Sequence, residues 1–146
     1  MNTHETINHM LVHLFNEIWE LEEKAIISDE YKDISNNDMH IIEAIGIQQS
    51  NNMSTIAKKL NITVGSLTTA MNSLVKKGYV TRSRCEQDRR VVYIELTLKG
   101  EKAFHHHAEF HRKMTDAVVQ KLTEEELSVL VKTLDGLTEF FHGYKE

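Results

Sequence analysis

The sequence contains no proline, six glycines and a single cysteine in 146 residues. Proline breaks helices and glycine weakens them, so their scarcity favours long helices joined by short turns. One cysteine excludes an intramolecular disulfide bond. The sequence also lacks an N-terminal apolar run of signal-peptide length and any apolar run of about 18 residues. We therefore expect a soluble, cytoplasmic protein with no membrane partner.

The motifs of common enzyme classes are missing as well. The sequence has no glycine-rich phosphate loop, no Ser-x-Gly nucleophile elbow and no His-Glu-x-x-His run. These motifs supply the phosphate cradle, the activated hydroxyl and the open zinc site of their respective enzymes. We therefore expect that the protein is not an enzyme.

The charge of the chain is unevenly distributed. The net charge is −5, which by itself argues against a nucleic-acid partner. However, residues 53–100 carry nine basic and three acidic side chains, a net charge of +6, whereas the remainder carries eight basic and nineteen acidic side chains, a net charge of −11. A basic centre between acidic ends is typical of a DNA-binding segment held by helices that do not contact DNA, although ordinary surface charge segregation also produces it.

The apolar spacing predicts a bundle of helices around a small hairpin. Apolar residues recur every three or four positions from about His4 to Ile27, which indicates one long amphipathic helix ending near Ser28. Ser35, with Asp38 three residues later, predicts the capped start of a second helix. Thr97 predicts the cap of a long helix to about Leu122, and Thr123 with Glu126 predicts a capping box for a last helix ending near His142.

The middle of the chain predicts a helix-turn-helix followed by a hairpin. A short helix over 54–61 is followed by a tight turn and by a longer helix that Thr63 caps and Gly78 ends. Residues 50–53 are a polar turn in this interpretation. The period then changes to that of strands over 79–85 and 91–96, and the charged residues 86–90 between them form the hairpin tip.

This arrangement suits recognition of double-stranded DNA. A recognition helix exposes small or hydrogen-bonding residues to the major groove, although a surface helix with an incidental Ser/Thr face has the same pattern. Arg89 and Arg90 at the hairpin tip are suited to a narrow minor groove, and Asp88 can direct a neighbouring guanidinium, unless the two form an ordinary surface ion pair. The predicted DNA-binding residues are Thr63, Gly65, Ser66, Thr68, Thr69, Asn72, Arg82, Arg84, Asp88, Arg89 and Arg90.

Asp88-x-Arg90, followed after five residues by Leu96-Thr97-x-x-Gly100, resembles the signature of the MarR family of winged-helix regulators, and the resemblance covers essentially the whole chain. Lys-Asp-Ile-Ser35, Met39-His40 and Ser83-x-Cys-Glu-Gln-Asp-Arg-Arg-Val-Val92 are similar to the FabT-type branch of that family. That branch represses bacterial fatty-acid synthesis genes and uses long-chain acyl groups on acyl carrier protein as corepressor.

The resemblance implies a mainly α (α+β) fold with a winged helix-turn-helix, long terminal dimerisation helices and a two-stranded wing. It implies a homodimer on a pseudo-palindromic operator, with 1–34 plus 98–146 as the dimerisation region and 35–97 as the DNA-binding domain. It also implies a ligand site between them, with Arg90 in the minor groove and Asp88 directing it. The residues predicted to line this effector pocket are Leu14, Phe15, Ile18, Trp19, Met39, Ile42 and Phe104. The alternative is that these apolar residues belong to the core.

Several histidines suggest a metal site. His107 and His111 are four residues apart, so both lie on one face of a helix, and His40 with Glu22 or Glu23 can approach that face. The set Glu22, His40, His107 and His111 resembles the metal site of the zinc-sensing AdcR-type members of the family. This resemblance implies bound zinc and, as an alternative function, a zinc-responsive repressor of metal-uptake genes. Hydrogen-bonded core histidines are the alternative explanation.

Overall fold

The computed structural model describes residues 1–26 and 30–144 of the chain. Its elements, in chain order, are α1 (Thr3–Ile26), α2 (Asn36–Ile45), β1 (Asn51–Asn52), α3 (Met53–Leu60), α4 (Val64–Lys76), β2 (Val80–Arg84), β3 (Val92–Leu96), α5 (Leu98–Val119) and α6 (Glu124–Gly143). The predicted mainly helical winged fold is confirmed. The predicted end of the first helix near Ser28 lies outside the described residues.

Capping side chains fix the starts of the helices, as the sequence predicts. The Ser35 hydroxyl accepts the amide of Asp38 at 3.0 Å, and the Asp38 carboxylate accepts the amide of Ser35 at 3.1 Å, which completes a capping box for α2. Thr123 and Glu126 form the same box at the start of α6. Each cap satisfies backbone donors that a helix start otherwise leaves without an acceptor.

The helix-turn-helix begins one residue earlier than predicted. Asn52 caps α3 by accepting the amide of Thr55 at 2.8 Å, so the helix starts at Met53 rather than at Ser54. Asn61 then ends α3 in the left-handed conformation, with φ of 55°, which asparagine tolerates better than most residues. The turn over residues 61–63 therefore changes the chain direction between α3 and α4 within three residues.

The sheet has three strands rather than the predicted two. β2 and β3 pair antiparallel, from Val80 opposite Leu96 to Arg84 opposite Val92. β1 pairs with the other edge of β3, giving the order β1-β3-β2. The polar turn predicted for residues 50–53 therefore contains a short strand. Its two asparagines have little strand preference, and backbone pairing to β3 imposes the extended conformation.

One apolar core holds the recognition elements together. Residues with essentially no exposed surface come from α2, α3, α4, the sheet and α5: Met39, Ile41, Ile42, Ile45, Ile56, Leu67, Met71, Leu74, Tyr79, Ile94 and Ala103. Burial of each large aliphatic side chain contributes about 1.5–3 kcal/mol of transfer free energy. The core therefore fixes the inward face of α4 and leaves its other face exposed.

The start of α5 is fixed to the turn between α4 and β2 by close backbone contact. Thr97 donates its amide to the Tyr79 carbonyl at 3.0 Å and its hydroxyl to the Gly78 carbonyl at 2.6 Å. The Thr97 hydroxyl also accepts the amide of Gly100 at 3.1 Å. A Cβ atom on Gly100 would lie 2.1 Å from the Tyr79 carbonyl oxygen, so this position requires glycine.

The chain forms two compact units, Met1–Phe110 and His111–Glu146. The functional division predicted from the sequence, 1–34 plus 98–146 and 35–97, stays a prediction. In the part of the chain that the structure describes, no helix is both long enough and apolar enough to cross a membrane.

Candidate nucleic-acid interface

Six of the eleven residues predicted to contact DNA lie on the outer face of α4 or at its N-cap. Thr63, Gly65, Ser66, Thr68, Thr69 and Asn72 are exposed. By contrast, Leu67, Met71 and Leu74 on the opposite face are fully buried. An α-helix places residues three, four and seven positions apart on one face, which explains how one segment serves both the core and the surface.

Hydroxyl groups near the start of α4 are already engaged with the helix. The Thr63 side chain accepts the amide of Ser66 at 3.1 Å, and its hydroxyl donates to the Ser66 hydroxyl oxygen at 3.0 Å. The Thr68 hydroxyl donates to the Val64 carbonyl at 2.8 Å. Thr63 therefore acts as the helix cap, and Thr68 retains oxygen lone pairs with which to accept a hydrogen bond.

The wing tip contains the predicted ion pair. Arg90 donates through Nε to Asp88 Oδ1 at 3.0 Å and through Nη2 to Asp88 Oδ2 at 3.2 Å, which is a two-point contact. The Arg90 amide also donates to Asp88 Oδ1 at 3.1 Å. The Arg90 side-chain hydrogen bond, followed by the backbone one, lowers the pKa of Asp88 from its ordinary value.

The direction of the Arg90 side chain is therefore set by a neighbouring carboxylate, while 90% of that side chain remains exposed. A guanidinium held by two parallel hydrogen bonds has a defined orientation, although an exposed pair adds little to stability. The contact thus orients the cation at the tip of the hairpin.

Two further arginines predicted to contact DNA have protein partners. Arg84 donates to the Arg89 carbonyl at 3.1 Å, which braces the strand against the hairpin tip. Arg82 Nη1 donates to the side-chain oxygen of Asn72, which links β2 to α4. The sequence gives no local signal for the second contact, because its two residues lie on different elements.

A cavity of about 620 Å³ opens between α4 and the wing. Three guanidinium-bearing residues, Arg82, Arg84 and Arg90, line it, together with Thr68 and Val64 of α4. A concave surface with several fixed cations and short polar side chains matches a polyanionic, hydrogen-bonding ligand. The geometry therefore suits a nucleic-acid backbone and groove.

A polar network that sequence reasoning missed fixes the base of the wing. The Tyr79 hydroxyl donates to the Asp33 carboxylate at 2.7 Å, and this hydrogen bond lowers the pKa of Asp33. Burial, followed by the contact with Asp33, raises the pKa of Tyr79 well above its ordinary value. Lys77 contacts Asp38 at 3.3 Å, and the Lys99 ammonium lies 4.4 Å from the Tyr79 ring centre. These contacts join the segment before α2 to the recognition elements.

The residues predicted for an effector pocket occupy different environments. Met39 and Ile42 are fully buried in the core of the first unit. Leu14, Phe15 and Trp19 of α1 each leave half or more of their surface exposed. Ile18 is half-buried, and Phe104 packs against the core. Their role as a ligand site stays a prediction.

His107 is buried between two carboxylates. Its Nε2 atom lies 3.2 Å from Glu22 Oε1 and 2.7 Å from Glu43 Oε1, and only 1% of the side chain is exposed. Glu43 is absent from the set predicted from the sequence, whereas His40 is exposed and His111 belongs to the second unit.

The donor set around His107 suits zinc, which binds imidazole nitrogen and carboxylate oxygen. It equally suits an imidazole that donates from Nε2, the atom nearest both carboxylates. The predicted zinc site therefore stays a prediction.

Comparison with known proteins gives a consistent assignment. The MarR family model matches residues 34–92. The regulator PchR of Bacillus subtilis is 30% identical over 68% of this chain and 61% of its own length. The chain is also similar to Streptococcus pneumoniae FabT in its crystal structure in complex with DNA. The two sequences are 38% identical, the match covers 96% of this chain and 98% of that chain, and the TM-score is 0.86.

The adhesin competence repressor AdcR of Streptococcus pyogenes is 25% identical over 96% of this chain and 98% of that chain, with a TM-score of 0.68. PchR is named as a transcriptional regulator and AdcR as a repressor, which confirms the expectation of a regulator rather than an enzyme. The chain belongs to the MarR family of DNA-binding transcriptional regulators.

Proposed function

We propose that this regulator is a homodimeric repressor of fatty-acid synthesis genes whose corepressor is a long acyl chain carried on acyl carrier protein. The observation that carries the proposal is the 38% identity to DNA-bound FabT over 96% of the chain, at a TM-score of 0.86. The resemblance of residues 83–92, which lie within the wing, to the FabT type also supports it. The protein would act in the cytoplasm.

In this proposal α4 and the wing, which border the cavity, have separate roles in DNA binding. The polar face of α4 enters the major groove, where short side chains reach base edges. The wing carries Arg90 into the minor groove, whose negative potential is greatest where A·T-rich DNA narrows it. The local net charge of +6 over 53–100 supplies the attraction to phosphate, so affinity should fall steeply with salt.

Apolar surfaces outside the DNA-binding elements support a dimer, which is typical of the family. On α1, Ile7, Met10 and Leu11 are exposed, and on α6, Phe140 and Phe141 are exposed. Large exposed apolar side chains on one helix mark an interaction surface. A second copy would cover them and would place two wings on the two halves of a pseudo-palindromic operator.

The acyl chain needs an apolar channel, and the residues predicted for the effector pocket include exposed apolar side chains of α1. Leu14, Phe15 and Trp19 would form its outer wall. A ligand wedged between α1 and the DNA-binding domain can change affinity only if it binds the DNA-competent arrangement more tightly than the other. The proposal assigns that preference to the long acyl chain.

Fluorescence anisotropy tests this function directly. The full-length protein is titrated into a labelled A·T-rich pseudo-palindrome alone, with acyl carrier protein lacking an acyl group, and with the palmitoylated carrier. The proposal predicts tighter DNA binding with the palmitoylated carrier only. Tightening by the bare carrier would assign the effect to the carrier protein, and no change in either arm would contradict the fatty-acid assignment.

A further inference from the structure

We propose that Arg82 is a positioning residue that turns the Asn72 side chain so that its amide N–H₂ group, rather than its oxygen, reads the major groove. The inference rests on the proposed docking of α4 in the DNA. Its basis is the hydrogen bond from Arg82 Nη1 to Asn72 Oδ1, which joins β2 of the wing to the recognition helix. Both residues are exposed, and they lie on the two elements that the proposed docking places against the DNA.

The chemistry of the two groups fixes the orientation of the amide. A guanidinium only donates hydrogen bonds, whereas an amide accepts through oxygen and donates through nitrogen. The oxygen of Asn72 must therefore face Arg82, and the nitrogen of Asn72 must face away from it. A neutral asparagine without such a neighbour can reverse the two ends and adapt to either kind of base edge.

This orientation determines which bases Asn72 favours. A G·C pair offers the adjacent guanine acceptors O6 and N7 in the major groove, whereas an A·T pair places the adenine N6–H₂ donor between the adenine N7 and thymine O4 acceptors. The adenine amino group would meet both the amide N–H₂ group and the positive charge of Arg82. The common two-point contact of asparagine with adenine is therefore disfavoured. We expect a G·C pair rather than an A·T pair at the position that Asn72 contacts.

The position of Asn72 on α4 fits a groove contact. It lies four residues after Thr68, which lines the cavity beside the wing, and seven after Gly65. These residues share one exposed face of α4 because of the helical period. Arg84, two residues after Arg82 on the same strand, instead contacts the Arg89 carbonyl at 3.1 Å. It therefore provides a matched control, because it is an arginine of the same strand that does not orient Asn72.

The test is selection from a random double-stranded DNA library with the full-length protein, followed by sequencing. Wild type is compared with Asn72→Ala, Arg82→Met, Arg82→Lys and Arg84→Met. Asn72→Ala identifies the position that depends on this side chain. There we expect wild type to favour G·C over A·T by about 3- to 10-fold, the effect of one good hydrogen bond. Circular dichroism and the dimer fraction check that each variant is folded.

Arg82→Met should lose the base-pair preference at that same position. Arg82→Lys should retain much of the preference because lysine still donates a hydrogen bond. Arg84→Met should keep the preference while binding DNA more weakly. Uniformly weaker binding by Arg82→Met, with the preference intact, would overturn the positioning role. A salt slope reduced by about 0.9 would then identify Arg82 as the ligand of one phosphate.

Two other results separate this inference from the proposed function. A wild-type preference for A·T at the Asn72-dependent position would overturn the donor orientation and leave sequence-specific binding intact. Failure of the wild type to enrich any sequence would contradict the docking of α4, and the inference would fall with it.

Discussion

Replacing Gly100 by alanine should destabilise the first unit severely, because the new methyl group has no space. An ideal Cβ there would lie 2.1 Å from the Tyr79 carbonyl oxygen and 3.2 Å from a Leu96 methyl group. Both obstacles are held by the core and by β3, so α5 must move. That movement stretches the hydrogen bonds from Thr97 to the Tyr79 and Gly78 carbonyls.

The magnitude follows from those interactions. Two weakened hydrogen bonds cost about 0.5–1.5 kcal/mol each, and overpacking costs about 1–3 kcal/mol. Together these give a loss of about 2–6 kcal/mol in the free energy of unfolding, a large fraction of the roughly 5–15 kcal/mol typical of a domain. Urea unfolding, at one fixed protein concentration because the family dimerises, measures it.

A second glycine provides the control. Gly136 lies within α6, and a Cβ atom there would meet no heavy atom within 4 Å. Gly136→Ala should therefore stabilise the protein by about 0.5–1 kcal/mol through helix preference. If Gly100→Ala were as stable as wild type, the close packing of α5 on β2 would be refuted.

Three further outcomes are expected. Asp88→Asn should weaken DNA binding by about 3- to 10-fold, because it removes a hydrogen bond that orients Arg90. Removal of a negative charge alone should instead strengthen DNA binding. Stronger binding in an anisotropy titration would therefore show that Asp88 does not direct Arg90. Because the pKa of Tyr79 is raised, its contribution to stability is complete below the ordinary tyrosine pKa of about 10 and is lost as the pH rises through the raised value. Urea unfolding should therefore show a shallower alkaline loss of stability for Tyr79→Phe than for wild type, and equal slopes would contradict the assigned shift. The predicted zinc site requires about one zinc per chain in protein purified without chelator and its loss in His107→Ala; a metal content near zero in both would leave His107 as a hydrogen-bonded core residue.

Local signals in the sequence were sufficient for the elements that carry the fold. Ser35 with Asp38, and Thr123 with Glu126, predict helix starts that the structure confirms, because a capping box involves residues only three apart. The change of apolar period after Gly78 predicts the wing for a similar reason. The Asp88–Arg90 pairing was also accessible, since the two residues are neighbours at one hairpin tip.

Long-range partners were not accessible from the sequence. Asn72 and Arg82 lie on different elements, so nothing in either segment predicts their contact. Glu43 reaches His107 only because α2 packs near α5, and no spacing rule links the two positions. β1 likewise exists through backbone pairing with β3 rather than through its own residues. In each case the tertiary fold brings together groups that have no sequence relation.

The most direct test of the DNA-binding surface is the salt dependence of operator-like DNA binding by Arg90→Ala. Arg112→Ala is the matched control, because Arg112 forms a 2.7 Å pair with Asp116 outside the basic segment. We expect Arg90→Ala to bind an A·T-rich pseudo-palindrome more weakly, with a log–log salt slope smaller by about 0.9 for each phosphate that Arg90 neutralises, while Arg112→Ala matches wild type. Wild-type affinity and slope for Arg90→Ala would contradict the assignment of the wing tip to the DNA interface.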